Sequence, residues 1–183
     1  MSEALQHIHI QYTPEWFDSG YYVYVITVEQ EGTQRYYIGQ TGDRNHLSSR
    51  SPFYRLWGHF NPYRSTDSQL FEYLYESLPT VTHESSRRVR VERALASGQI
   101  KVKADYFKIF DLPESLDKAV HKSMRKQVED IELLIIQAVP KDQLINKNLK
   151  IGIAVDNDKA REFAHKILNH LNISCNGMQA QIP

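Results

Sequence analysis

Eight consecutive residues, Tyr21-Tyr22-Val23-Tyr24-Val25-Ile26-Thr27-Val28, are all aromatic or β-branched. Such side chains fit a pleated, buried surface and lose rotamer freedom in a helix, so this run dictates a strand. Arg35-Tyr36-Tyr37-Ile38-Gly39 repeats the texture after the polar link Glu29 to Gln34, which contains Gly32. The pair predicts an antiparallel hairpin. The longest apolar stretch, Tyr21 to Ile26, is far shorter than the ~20 residues of a membrane span. The acidic start Met1-Ser2-Glu3 does not resemble a signal peptide, so the expected location is the cytoplasm, with no membrane partner.

Helical signals follow the hairpin. Ser51-Pro52 reads as an N-cap with proline at the first helical position, opening a helix to about Phe60 that stops near Asn61-Pro62. A second helix is expected from Ser65 or Asp67 to Leu78, and a third from about Ser85 to Ala96, stopped by Gly98. Ile100 to Leu112 returns to strand character. From Ser115 to Val139, Val128, Ile131, Ile135 and Ala138 recur at helical spacing before Pro140. A last amphipathic helix fits Asn157 to Leu171, followed by a tail from Asn172 to Pro183. This order predicts an α+β fold, a small antiparallel sheet built on the tyrosine-bearing hairpin and flanked by helices. At 183 residues one domain is expected. It spans 1–150 with a helical, basic insert at about 63–103, and residues 151–183 form a helix and tail packed on it.

The 22 basic and 22 acidic residues cancel, but not locally. Residues 1–86 hold 5 Lys/Arg against 10 Asp/Glu, residues 87–103 hold 6 against 1, and residues 104–183 hold 11 of each. The basic segment, with Arg87, Arg88, Arg90, Arg93, Lys101 and Lys103, is either a solvated face or a surface for phosphates. Single Cys175 supports neither an intrachain disulfide nor a thiolate metal cage. His7-x-His9 lacks a third ligand, and His165 and His170 diverge around a helix. No phosphate-binding Walker loop, dinucleotide fingerprint or Gly-x-Ser-x-Gly elbow is present, which removes those nucleotide-hydrolysing and serine-esterase classes.

Three features carry candidate chemistry. Tyr24 and Tyr37 sit on opposite hairpin strands, and Gly39 ends the second strand where backbone can approach closely. Arg55 and His59, four apart, share a helix face. Arg50 and Tyr54 have the same spacing, but Arg50 precedes the helix start. At ~100° per residue from Val128, Glu132 falls at about 40°, inside the arc of Ile131, Ile135 and Val139, with Glu129 on its edge at about 100°. A carboxylate there needs a compensating cation, metal or hydrogen-bond network.

Together these residues resemble the GIY-YIG nuclease superfamily. Tyr22-Val23-Tyr24-Val25-Ile26 stands where the family has Gly-Ile-Tyr-x-Ile, with Tyr22 replacing the glycine, and Tyr37-Ile38-Gly39-Gln40-Thr41 matches the second motif. Arg55-Leu56-Trp57-Gly58-His59 fits the Arg-Leu-x-x-His helix, Glu132-Leu133-Leu134-Ile135-Ile136 the glutamate helix, and Asn146 the asparagine that follows. Arg55 lies sixteen residues after Gly39, a longer loop than usual, which keeps Arg50 as a rival. The resemblance implies a Mg²⁺- or Mn²⁺-dependent endonuclease acting on DNA, with a homodimer as one arrangement. It implies Glu132 as metal ligand, Arg55 on phosphate, His59 assisting, Tyr24 activating water with Tyr37 in support, and Gly39 and Asn146 as supporting residues. The alternatives are a GIY-YIG-like module that binds nucleic acid without cutting it, and a structural or protein-interaction domain.

Overall fold

The structure is a computed structural model describing residues 11–42, 47–61, 68–79, 86–147 and 154–173. His7, His9, Cys175, the expected helix starts at Ser65, Asp67 and Ser85, and most of the tail lie outside the described residues. Three strands, β1 (Gly20–Gln30), β2 (Thr33–Gln40) and β3 (Ile100–Asp111), form one antiparallel sheet in the order β2-β1-β3. Five helices flank it: α1 (Pro52–Phe60), α2 (Gln69–Glu76), α3 (Arg87–Ala96), α4 (Lys118–Ala138) and α5 (Asp158–His170). The α+β class is as the sequence predicts.

The hairpin is tighter than expected. Gln30 pairs with Thr33, so the connection is only Glu31-Gly32, with φ of 52° and 74°. Positive φ at both positions matches the right-handed twist of the flanking strands, and Gly32 adopts it without a Cβ penalty. Helix ends follow their caps. Asp117 accepts from the Ala119 amide at 2.8 Å, so α4 begins at Lys118 rather than Ser115. Ser68 and Asn157 cap α2 and α5 in the same way, at 3.2 and 3.0 Å.

Central position explains the largely apolar run Tyr21 to Val28 of β1, because both of its faces are covered. Tyr21, Val23, Val25, Tyr36 and Ile38 join Val128, Ile131, Leu134 and Ile135 of α4 and Ala164, Ile167 and Leu168 of α5 in one core. Tyr24, Ile26, Val28 and Tyr37 face the other way, onto Leu70, Phe71 and Leu74 of α2, Val91 and Ala94 of α3, and Ile145. The helix α5 thus shares the core of α4. No described helix is long and apolar enough to cross a membrane.

Candidate active site

The site is built around Tyr24, whose side chain is fully buried at the centre of the sheet. In register, Tyr24 lies between Gly39 of β2 and Tyr106 of β3. A Cβ on Gly39 would stand 2.2 Å from the Tyr24 hydroxyl and 2.3 Å from Cζ, so the phenol occupies the space a side chain would take. Gly39 is required for close approach, not for its backbone angle. Gly39→Ala is therefore expected to lower the thermal midpoint by several degrees, corresponding to the ~1–3 kcal/mol of an overpacked core. A calorimetric scan showing an unchanged midpoint would refute this packing account.

Two residues of α1 reach the same hydroxyl. Arg55 Nε donates to Tyr24 Oη at 3.0 Å, and Tyr24 Oη and His59 Nε2 are 2.8 Å apart. The shared face expected of Arg55 and His59 is thus turned inward. Ser68 fixes the end of α1, since its Oγ donates to the His59 carbonyl at 2.7 Å while capping α2. Tyr37 packs edge-on against the His59 ring at 4.9 Å between centroids and lies 6.3 Å from the Tyr24 ring. Arg50 is exposed, its amide donates to Thr41 O at 3.1 Å, and Arg55 rather than Arg50 bonds Tyr24. Asn146 holds β2 in place by mimicking a strand partner: the Ile38 amide donates to its Oδ1 at 2.9 Å, and its Nδ2 donates to the Ile38 carbonyl at 2.8 Å.

Burial dominates the electrostatics. It pushes the Tyr24 phenol well above its usual range, and the opposing pull of Arg55 is smaller. Tyr37 is raised for the same leading reason, again opposed by Arg55. Arg55 supplies a cationic field at the hydroxyl, but it does not make Tyr24 a phenolate in the protein alone. Burial first, then the Arg55 charge, pulls His59 down to about 3. A neutral imidazole accepting at Nε2 lets Tyr24 donate to it while accepting from Arg55.

That depressed value has a consequence for stability. The unfolded chain protonates His59 below its ordinary value of 6.5, whereas the folded chain does so only near 3. Its contribution is thus fully present above pH 6.5 and is lost as pH falls from there to about 3. His59→Gln cannot protonate and should flatten the acid limb of stability by an amount on the order of a few kcal/mol. Urea midpoints of the two proteins at pH 7, 5 and 4 measure it; parallel curves would mean that His59 is not held neutral.

Glu132 lies on α4 and is half-buried, and its helical angle places it on the side of Val128, Ile131 and Ile135. Its charge raises the pKa of Tyr24, Tyr37 and Arg55, which brings the carboxylate into the same electrostatic unit. Glu129, one turn earlier, faces Arg125 at 3.6 Å. Among the described residues no three His, Cys, Asp or Glu side chains gather into a metal cage. Glu132 is the one carboxylate oxygen donor in this group of charges, which would suit a hard divalent ion that keeps most of its water.

Tyr106 is a site neighbour that sequence reasoning missed. Its ring lies 5.1 Å from that of Tyr24, and its hydroxyl is buried without a hydrogen-bond partner. Burial raises its pKa. The alternation Ile100, Val102, Ala104, Tyr106 is the one signal that could have placed it on this face.

The six basic residues are not brought together. Arg87, Arg88, Arg90 and Arg93 belong to α3, packed on the Tyr24 face of the sheet. Lys101 and Lys103 alternate with Ile100, Val102 and Ala104, so they project from the opposite face. Carboxylates partner many of these cations: Glu72 holds Arg87, Glu92 lies 3.2 Å from Arg88, Glu29 3.0 Å from Lys101, and Asp105 3.1 Å from Lys103. Arg90 bonds Tyr75 Oη at 3.2 Å and the Pro79 carbonyl, which ties it to the fold. Comparisons with protein-family models, curated proteins and solved structures find no match to this chain.

Proposed function

We propose that this protein is a GIY-YIG-like endonuclease that hydrolyses phosphodiester bonds, with DNA as substrate and Mg²⁺ or Mn²⁺ as cofactor. The observation that supports this most is the convergence of Arg55, His59 and Tyr37 on Tyr24 in the space left by Gly39, with the charge of Glu132 acting on the same groups. An ion-pair core would need only Arg55 and Glu132. The two tyrosines and the neutral imidazole add proton donors and acceptors that packing alone does not require.

In this reading Glu132 holds the cation, which when bound offsets phosphate charge and favours the ionised form of a nearby phenol. Arg55 has its Nε engaged by Tyr24, and its terminal amino groups meet the phosphate oxygens. Tyr37 is 9% exposed against 0% for Tyr24, which makes Tyr37 the less buried of the two. We therefore assign it the proton abstraction and make Tyr24 the hub that orients Arg55 and His59, an exchange of the roles the resemblance implies. The water oxygen bonds to phosphorus as its proton passes to the Tyr37 phenolate, whose own proton has first gone to solvent when the bound cation favours ionisation. The bond from phosphorus to the ester oxygen breaks, and solvent protonates the departing oxygen.

Nicking of supercoiled plasmid with Mg²⁺, and none in EDTA, is the expected result. No cleavage of any plasmid, oligonucleotide or RNA would leave the rival reading, a binding module on the same scaffold. The depth of burial of Tyr24 and His59 favours that rival. Binding by α3 is tested separately. Arg88→Glu with Arg93→Glu, both exposed, should weaken DNA binding and reduce its salt slope by roughly one unit per lost phosphate contact. An unchanged slope in a salt titration would make α3 a solvated face.

A further inference from the structure

The Tyr106 hydroxyl differs from those of its neighbours. Tyr21 Oη lies 2.9 Å from His121 Nδ1, Tyr22 Oη donates to Asp18 at 3.2 Å, and Tyr24 Oη meets both Arg55 and His59. Tyr106 Oη is closed off from water and has no hydrogen-bond partner among the described residues. Folding takes it out of water without replacing the bonds it made there, which destabilises the folded chain.

Packing does not require this oxygen. The Tyr106 ring shares its sheet face with Val102 and Ala104, and lies 5.1 Å from the Tyr24 ring at 32° and 6.5 Å from the Tyr22 ring at 75°. Phenylalanine would make the same ring contacts without the unpaired group, and β3 uses it at Phe107 and Phe110. A polar group retained where an apolar one would be more stable is characteristic of a functional site, where a contact with ligand matters more than the stability of the free protein.

Position selects the ligand. In register Tyr106 flanks Tyr24 on the side opposite Gly39, and Tyr24 accepts from Arg55 Nε at 3.0 Å. The charge that acts on Tyr106 is that of Arg55; it lowers the phenol's pKa, but burial outweighs it and keeps the hydroxyl protonated. The Glu132 charge acts instead on Tyr24, Tyr37 and Arg55. A neutral phenol in the field of a guanidinium adds an O–H donor to the N–H donors, and an anionic oxygen is the acceptor that gains most from both. Arg55 and Tyr106 each keep part of their surface in water, whereas Tyr24 is sealed.

We propose that Tyr106 binds the substrate phosphate, its hydroxyl donating to a non-bridging oxygen of the phosphodiester that Arg55 takes. The proposal rests on the nuclease reading for that phosphate and adds a second donor to it. The hydrogen bond missing from the free protein is the one made with the ligand.

Tyr106→Phe removes the oxygen and keeps the ring. The probe is dimethyl phosphate, the smallest phosphodiester, titrated with the full chain in EDTA and followed by phosphorus NMR line broadening. The variant should bind it about tenfold more weakly, the loss of one charge-assisted hydrogen bond. Its thermal midpoint should equal that of wild type or exceed it, because an unpaired buried group is gone. Tyr22→Phe, which loses the bond to Asp18, is the contrast, with a lower midpoint and unchanged probe binding. A fall in the midpoint of Tyr106→Phe would mean that its hydroxyl is paired within the fold, and undiminished probe binding would leave Tyr106 a packing residue; either overturns the proposal. So would a wild-type chain that does not bind the probe. The nuclease reading fails separately. Probe binding that Tyr106→Phe weakens, without cleavage of plasmid under Mg²⁺, keeps the phosphate site and removes the enzyme, whereas cleavage with probe binding unaffected by Tyr106→Phe removes only the role of Tyr106.

Discussion

On the proposed nuclease reading, Glu132→Ala is expected to abolish Mg²⁺-dependent cleavage and to leave the protein folded. The carboxylate is half-buried on α4, and the fold's other acids near it are engaged elsewhere, Glu129 by Arg125 at 3.6 Å and Asp130 by Lys126. Removing it deletes the anionic oxygens that a divalent ion would need, and among the described residues no cluster of His, Cys, Asp or Glu replaces them. Its packing role is small, because Val128, Ile131 and Ile135 carry the α4 seam. The stability change should be about 1 kcal/mol or less, read by thermal unfolding alongside plasmid nicking. Glu132→Gln, which keeps the volume, should be equally inactive. Cleavage at the wild-type rate would move the metal assignment to Glu129, and unfolding of both variants would mark Glu132 as half of a core ion pair with Arg55.

The two hairpin tyrosines should separate chemistry from architecture. Tyr37→Phe keeps the ring against His59 and deletes the hydroxyl of the less buried tyrosine, so on the proposed role cleavage should fall ~10²-fold or more, within the range for loss of a general base, with little change in midpoint. Tyr24→Phe also removes activity, but by another route. It strands a buried Arg55 Nε and a buried His59 Nε2, each of which loses its partner. That should cost about 1–3 kcal/mol of stability, visible as a lower urea midpoint. Should Tyr24→Phe cut poorly at undiminished stability while Tyr37→Phe cuts normally, Tyr24 is the base. If both cut normally, the tyrosines are structural.

The hairpin shows how far local sequence reaches. Eight β-branched and aromatic residues can only be a buried strand, and Gly32 can only be a turn. The helix starts were legible to within a few residues: Asn157 caps α5 as expected, while Ser68, Ser86 and Asp117 make the caps where Ser65 or Asp67, Ser85 and Ser115 were expected, because a cap is a local contact between a side chain and the next turn; Ser51 makes no such bond, and Pro52 opens α1. Glu132 and the Arg55/His59 pair were legible because helical geometry fixes which residues share a face.

What no local rule supplied is which face of β1 becomes the site. With every residue from Tyr21 to Val28 apolar or aromatic apart from Thr27, alternation carries no signal, and a second tyrosine and histidine pair on the opposite face has the same ingredients. Tyr21 Oη lies 2.9 Å from His121 Nδ1, whose Nε2 donates to the Ser115 carbonyl at 2.7 Å. Tertiary packing alone makes Tyr24, not Tyr21, the residue that meets Arg55 and fills the space at Gly39. The same packing divided the basic segment. Its charge excess is a property of the chain, but strand alternation in β3 sends Lys101 and Lys103 away from the arginines of α3, and carboxylates distant in sequence, Glu29 and Glu72, meet Lys101 and Arg87. Element type and helical face are decided by neighbours three or four residues away and so are written in the sequence. The ionisation of Tyr24 and His59 depends on how much water the surrounding helices and strands exclude, and only the folded chain sets that.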